Sequence, residues 1–210
     1  MKRLLLTLLL IWTAPGLAAR TLLVMGDSIS AAYGIQRDAG WVTLLQERLE
    51  QQAYGIRVVN ASISGETTGG GLSRLPKALE MHAPDIVIIE LGGNDALRGY
   101  PIDAIHANLE RMIELTSASG ALVMLMGMNI PPNYGPRYTQ AFHNIYHELA
   151  RSESVALVPF LLEGVALEPE LMQRDLIHPT VDAQPKLLDN VWPVLTDVLA
   201  KGEGPELHSE

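Results

Sequence analysis

Thr21-Leu22-Leu23-Val24-Met25-Gly26-Asp27-Ser28-Ile29-Ser30 joins a short apolar run to a Gly-Asp-Ser turn. An uninterrupted run of this kind reads as a strand buried on both faces, which puts Ser28 just past the strand's carboxyl end. In an open α/β sheet that edge is where ligands bind. A Gly-Asp-Ser turn by itself is ordinarily a helix N-cap, its serine satisfying orphan backbone donors. The meaning of Ser28 therefore depends on what else the chain brings to the same edge.

Four further runs read as strands: Arg57 to Asn60, Ile86 to Leu91, Ala121 to Met128 and Val155 to Pro159. Ile86-Val87-Ile88-Ile89-Glu90-Leu91 is the strongest of them, continuous enough to be covered on both faces. Between the strands, apolar residues recur at helical spacing over Trp41 to Leu49, Leu72 to Met81, Pro101 to Ser119, Tyr138 to Arg151 and Ala183 to Leu199. Strands alternating with helices imply right-handed βαβ units and one parallel sheet with helices on both faces, an α/β fold. Residues 20–200 make one domain, with no internal repeat or linker.

The chain has 210 residues, 48% hydrophobic and 19% charged, enough for one sizeable core. Met1-Lys2-Arg3, the apolar run Leu4 to Trp12 and the small-residue end Gly16-Leu17-Ala18-Ala19 have the three regions of a secretory signal peptide. Residues 1–19 are accordingly excluded from the fold, and a periplasmic or secreted enzyme with no stable membrane anchor after cleavage is expected. The run is shorter than the ~20 residues a spanning helix needs. Residues 201–210 read as a polar, frayed tail. The absence of cysteine removes thiol catalysis and Cys-zinc sites. Loss of Lys2 and Arg3 with the leader leaves 13 basic against 24 acidic residues, a net charge of −11 instead of −9, which argues against nucleic acid as a partner.

On this frame Ser28 follows the first strand, Gly65 the second and Asn94 the third, while His178 lies beyond the fifth. All four fall at the ligand-binding edge. These residue types permit acyl transfer through a serine nucleophile. Ser28 needs a base, for which His178 is the best-placed imidazole, and Asp175, three residues earlier, can bond the other ring nitrogen. Donors must also be waiting where the oxyanion develops, and Ser28 N–H, Gly65 N–H and the Asn94 amide can supply three. Each has a plainer explanation: Asp175 as a loop cap, His178 as a solvated side chain, Gly65 and Asn94 as ordinary turn residues.

Gly26-Asp27-Ser28-Ile29-Ser30, Gly65 within Ser64-Gly65-Glu66-Thr67, Gly92-Gly93-Asn94-Asp95 and Asp175-Leu176-Ile177-His178-Pro179 together resemble the four ordered blocks of the SGNH (GDSL-type) hydrolase family. The resemblance is nearest to the bacterial thioesterase I, protease I, lysophospholipase and arylesterase subgroup, through Val58 to Gly65, Glu90 to Asp95 and Pro131 to Tyr138. It implies a flavodoxin-like three-layer α/β/α fold with a five-stranded parallel sheet, and hydrolysis of esters and thioesters without cofactor or metal. The family roles carry over to Ser28 as nucleophile and donor, Gly65 and Asn94 as donors, His178 as base and Asp175 as its orienter. Ile29 stands where the family's name pattern has leucine, and Thr180 where close relatives often have other small or polar residues.

Competing motifs are weaker. The nucleophile elbow Gly-x-Ser-x-Gly is absent, and Gly65 to Gly71 matches neither a dinucleotide fingerprint nor a P-loop. His143 and His147 stand four apart on a helix without the intervening glutamate of a zinc motif, which reads as a solvated face.

An acyl group needs an apolar groove beside Ser28. The expected lining is Leu97 in the mobile segment Ala96 to Tyr100, with Met128, Ile130, Pro131 and Tyr134 from the loop after the fourth strand; the plainer explanation of Met128 and Ile130 is that they finish the core. The expected partners are small-molecule acyl esters, thioesters or lysophospholipids, met by a monomer. Deacetylation of cell-wall or polysaccharide sugars is an alternative, disfavoured by an aromatic content of only 5%. A non-enzymatic acyl carrier is a third.

Overall fold

The computed structural model of the chain describes residues 20–202. Five strands, β1 (Arg20–Gly26), β2 (Ile56–Asn60), β3 (Ile86–Glu90), β4 (Leu122–Met126) and β5 (Ala156–Val158), form one parallel sheet in the order β2-β1-β3-β4-β5. β1 pairs with β2 on one side and β3 on the other, so the strand order reverses at β1. Its C-terminal end is the topological switch point at which such sheets take ligands.

Alternation along each strand sorts the apolar runs into two cores. Leu22 and Val24, Ile86 and Ile88, and Met124 and Met126 pack with α1 (Trp41–Gln51) and α6 (Gln184–Gly202). Leu23 and Met25, Val87 and Ile89, and Val123 and Leu125 pack with α2 (Thr68–His82), α4 (Ile102–Ala118) and α5 (Pro136–Ser152). Leu22, Leu23, Val24 and Met25 are fully buried, and each such side chain contributes about 1.5–3 kcal/mol. The result is the expected three-layer α/β/α arrangement.

Two elements differ from the sequence expectation. The glycine-rich stretch does not stay a loop as far as Gly71: α2 begins at Thr68, because the Thr67 hydroxyl caps it by accepting the Gly70 N–H at 3.1 Å. The glycines serve packing there, since a Cβ on Gly71 would run into the Leu91 side chain. Gly93 to Leu97, expected as a turn leading into a mobile segment, is a short helix, α3. Gly92 makes the turn into it at φ 121°, a conformation that glycine adopts without strain. At the C-terminus α6 runs to Gly202, two residues into the expected tail. The rest of that tail and the leader expected over 1–19 lie outside the described residues.

Candidate active site

Ser28 stands in the first turn after β1, where Asp27 and Ser28 carbonyls accept the Ala31 and Tyr33 amides. The turn is anchored from below: Asp27 Oδ1 accepts the Ile29 N–H at 3.0 Å, and the Asn60 amide donates to the Ser30 carbonyl at 2.7 Å. Only 9% of Ser28 is exposed. Its hydroxyl lies 2.9 Å from His178 Nε2, and His178 Nδ1 lies 2.6 Å from Asp175 Oδ2. Because Nδ1 faces a carboxylate, its proton belongs there, which leaves Nε2 as the acceptor for the serine proton.

Asp175 and His178 are joined by one tight loop. Asp175 Oδ1 accepts the Ile177 and His178 amides, both at 3.0 Å. Burial acts to raise the Asp175 pKa, but the hydrogen bonds from the His178 ring and these two amides outweigh it and hold the carboxyl at about 2. The carboxylate is thus ionised whenever the imidazole needs orienting. Leu176, between them, is held at φ 58° with its side chain exposed.

The loop and the serine turn come from segments 150 residues apart. Gln173, which the sequence did not single out, bridges them. Its side-chain nitrogen donates to the Tyr33 carbonyl at 2.8 Å and to the Pro179 carbonyl at 3.0 Å, and its backbone N–H donates to the His178 carbonyl. The Tyr33 ring lies against the His178 imidazole, with centroids 4.4 Å apart.

The donors form a second cluster. Among the described residues, neither the Ser28 N–H nor the Gly65 N–H has an acceptor within the protein. Gly65 sits at φ 80°, and its carbonyl is held by the Arg98 guanidinium at 3.2 Å. Asn94, on α3, donates one amide hydrogen to Asp27 Oδ2 at 3.0 Å and keeps the other free. Asp95 fixes the loops relative to each other: its oxygens accept the Thr68 hydroxyl at 2.6 Å and the Thr68 N–H at 2.9 Å, tying the start of α2 to α3. Two unpaired backbone donors and one unpaired amide hydrogen beside a hydrogen-bonded serine make an arrangement suited to stabilise an oxyanion.

The expected groove residues divide. Met128 is buried in the α4/α5 core and packs its sulfur against Gly93, and Ile130 leans on the same core. Pro131 is exposed. Tyr134 and Leu97 are joined directly, the phenol donating to the Leu97 carbonyl at 2.9 Å, while Tyr138 likewise donates to the Tyr100 carbonyl at 2.6 Å. The segment from Ala96 to Tyr100 is therefore latched by two tyrosines, Tyr134 from the loop after β4 and Tyr138 from the first turn of α5. His143 and His147 face each other on α5, 4.8 Å between centroids, and His143 bonds Asn129.

Comparison with known proteins places the chain. Residues 24–184 match the GDSL-like Lipase/Acylhydrolase family. The chain is 55% identical to Esterase TesA of Pseudomonas aeruginosa over 182 residues, 87% of this chain and 90% of the relative. It is 44% identical to Thioesterase 1/protease 1/lysophospholipase L1 of Escherichia coli K12 over 181 residues, 86% of each chain. The crystal structure of the psychrotrophic esterase EstA from Pseudoalteromonas sp., inhibited by monoethylphosphonate, superimposes with a TM-score of 0.83 at 41% identity, covering 86% of this chain and 99% of that one. The chain belongs to the GDSL-like lipase/acylhydrolase family and is an SGNH-type acyl hydrolase.

Proposed function

We propose that the protein cleaves carboxylic esters and thioesters through an acyl-enzyme on Ser28, with His178 as base, Asp175 as its orienter, and Ser28 N–H, Gly65 N–H and the Asn94 amide as oxyanion donors. The observation that carries this reading is the continuous chain from Ser28 Oγ to His178 Nε2 at 2.9 Å and from His178 Nδ1 to Asp175 at 2.6 Å, beside unpaired donors. Ser28 Oγ attacks the acyl carbon as His178 Nε2 takes its proton. The carbonyl electron pair moves onto oxygen, where the three donors receive it. When the tetrahedral intermediate collapses, His178 returns the proton to the leaving alkoxide or thiolate, which departs as alcohol or thiol. Water, deprotonated by His178 Nε2, attacks the acyl-Ser28, and the imidazolium returns that proton to Ser28 Oγ as the C–O bond breaks and the acid departs. Every group comes from one chain, so a monomer suffices.

The substrate class is apolar acyl esters, including arylesters, thioesters and lysophospholipids. Exposed Tyr33, Leu176 and Ile177 surround His178 with apolar surface, and Leu97 and Tyr134 flank the donor side. Together with the leader-like residues 1–19, this supports an exported enzyme acting on lipid-like esters. The test is hydrolysis of p-nitrophenyl esters from acetate to palmitate by the mature protein beside Ser28→Ala. Activity that rises with chain length and vanishes in the variant is the expected result. Activity confined to acetate points to sugar deacetylation, and activity surviving Ser28→Ala overturns the mechanism.

A further inference from the structure

Glu90 ends β3 and is wholly buried, yet none of the steps above uses it. Its Oε2 accepts two hydrogen bonds, from the Asp27 N–H at 3.1 Å and from the Ser30 hydroxyl at 2.6 Å. Its Oε1 is sealed from solvent and has no N–H or O–H donor. Asp27, itself buried, is joined to Glu90 through its own N–H. An ionised carboxylate sealed from water with one oxygen unpartnered is costly, so the pair holds a proton. The Asp27 oxygens are both occupied by donors, Oδ1 receiving the Ile29 N–H and Oδ2 the Asn94 amide. The proton therefore resides on the glutamate, and the oxygen without a partner is the place for it. β1 leaves room for this acid: Gly26 is the register partner of Glu90, and a Cβ there would come within 2.6 Å of Glu90 Oε2.

We propose that Glu90 is a neutral acid, and that it acts through Asp27, whose N–H it receives and whose carboxylate holds Asn94, to aim the Asn94 amide at the oxyanion. This makes Glu90 a positioning residue, and the inference rests on the assignment of Asn94 as an oxyanion donor. Complete burial pushes the Glu90 carboxyl well above the usual range, and the charge of Asp27 adds to the effect. The other groups facing the pair fit a neutral Glu90 beside Asp27. Ser30 donates to Glu90 and Asn94 to Asp27; burial raises the Asp27 carboxyl, while the Ile29 N–H and the His178 side of the site act to lower it. Tyr146, from α5, donates its hydroxyl to the Leu91 carbonyl, and burial above all raises its pKa, so it brings no competing charge. Loss of the Glu90 proton in alkali places a second negative charge beneath the oxyanion donors and depresses turnover.

The first measurement is an infrared difference spectrum between the wild-type protein and Glu90→Gln at neutral pH. The expected loss is the carbonyl stretch of a protonated, water-free carboxylic acid; loss of carboxylate bands instead overturns the proposal. The second is kinetic. Glu90→Met lowers kcat by about 10²-fold with KM within about threefold, since it misdirects a donor used in the transition state. The conservative Glu90→Gln, neutral and with an amide oxygen to receive the Asp27 N–H and the Ser30 hydroxyl, recovers most of that rate and removes the alkaline decline in kcat. In an Asn94→Ala background Glu90→Met costs less than about threefold more; a full second 10²-fold loss there overturns the route through Asn94. Should Glu90→Met not fold, the alkaline limb of Glu90→Gln decides, and its persistence counts against the proposal. The infrared result needs no turnover. A protein that shows the acid band but keeps its activity in Ser28→Ala loses the catalytic assignment above while retaining the buried neutral acid.

Discussion

Asp95 and Asp175 both fix a part of the site, in contrasting ways. Asp95 is 2% exposed and links two elements, receiving both the hydroxyl and the N–H of Thr68 across 27 residues of sequence. The Asp175 side chain is 40% exposed and bonds only within its own loop, to Ile177 and His178. On the donor side, then, the polar groups that shape the site also hold the fold together. On the histidine side the loop is braced by itself and reaches the rest of the molecule through Gln173. A buried carboxylate with two partners is expensive to break because its partners are stranded, whereas an exposed one leaves its partners to water. The contrast predicts that damage to the donor side appears as instability and damage to the histidine side as lost turnover.

The largest expected effect is that of Asp175→Asn, which can no longer hold the proton on His178 Nδ1. Turnover should fall about 10⁴-fold, while stability read by urea denaturation falls by no more than about 1 kcal/mol; a substantially destabilised Asp175→Asn would erase the distinction between the two sides. Asp95→Ala comes next. Stranding Thr68 should cost about 3 kcal/mol in stability, read by urea denaturation, and an unchanged unfolding curve would show that the clamp is ornamental.

Acid sharpens the comparison further. The Asp175 pKa is depressed to about 2 in the folded protein from the ordinary 3.8. Its contribution is therefore present above about pH 4 and is lost as the pH falls toward 2. Solvent screening of so exposed a group keeps it to about 1 kcal/mol or less. Wild-type stability should decline more steeply than that of Asp175→Asn across that window, and parallel curves would mean the carboxylate is unpaired. The smallest effect concerns Leu176. Its left-handed φ costs roughly 1 kcal/mol, offset in part by the greater unfolded-state freedom of glycine. Leu176→Gly should gain about 0.5 kcal/mol, visible as a small rise in Tm, and a fall would reveal packing by a side chain that is 67% exposed.

The strands were legible because each is a short apolar run between turn residues, and alternation then determined which side chains enter which core. The four residues at the sheet edge were legible for the same reason, since strand ends and loop positions follow from the runs. Burial by tertiary contacts was not. Thr68 to Gly71 looks like a loop until Leu91 is seen filling the space that side chains there would occupy. α3 spans five residues, too few for helical periodicity to register. Glu90 carried a usable signal, a carboxyl inside an otherwise apolar run, which must be paired or neutral when buried. Only the pairing of β1 with β3 identifies Asp27 as its neighbour. Gln173 carried none, because its partners are the carbonyls of Tyr33 and Pro179, which any residue would provide.

The distance along the chain between Ser28 and His178 has a consequence for the order of assembly. The sheet edge, the serine turn and the donors of Gly65 and Asn94 are built from the first three strands and their loops, whereas the base arrives 150 residues after the nucleophile. The Trp41 N–H is likewise satisfied only by Gln184, at the start of the last helix. A chain emerging from its N-terminus therefore completes most of its frame while lacking any imidazole beside Ser28. Hydrolytic competence arrives in a single late step, when the segment from Gln173 to Gln184 docks, and no fragment ending before His178 can have it.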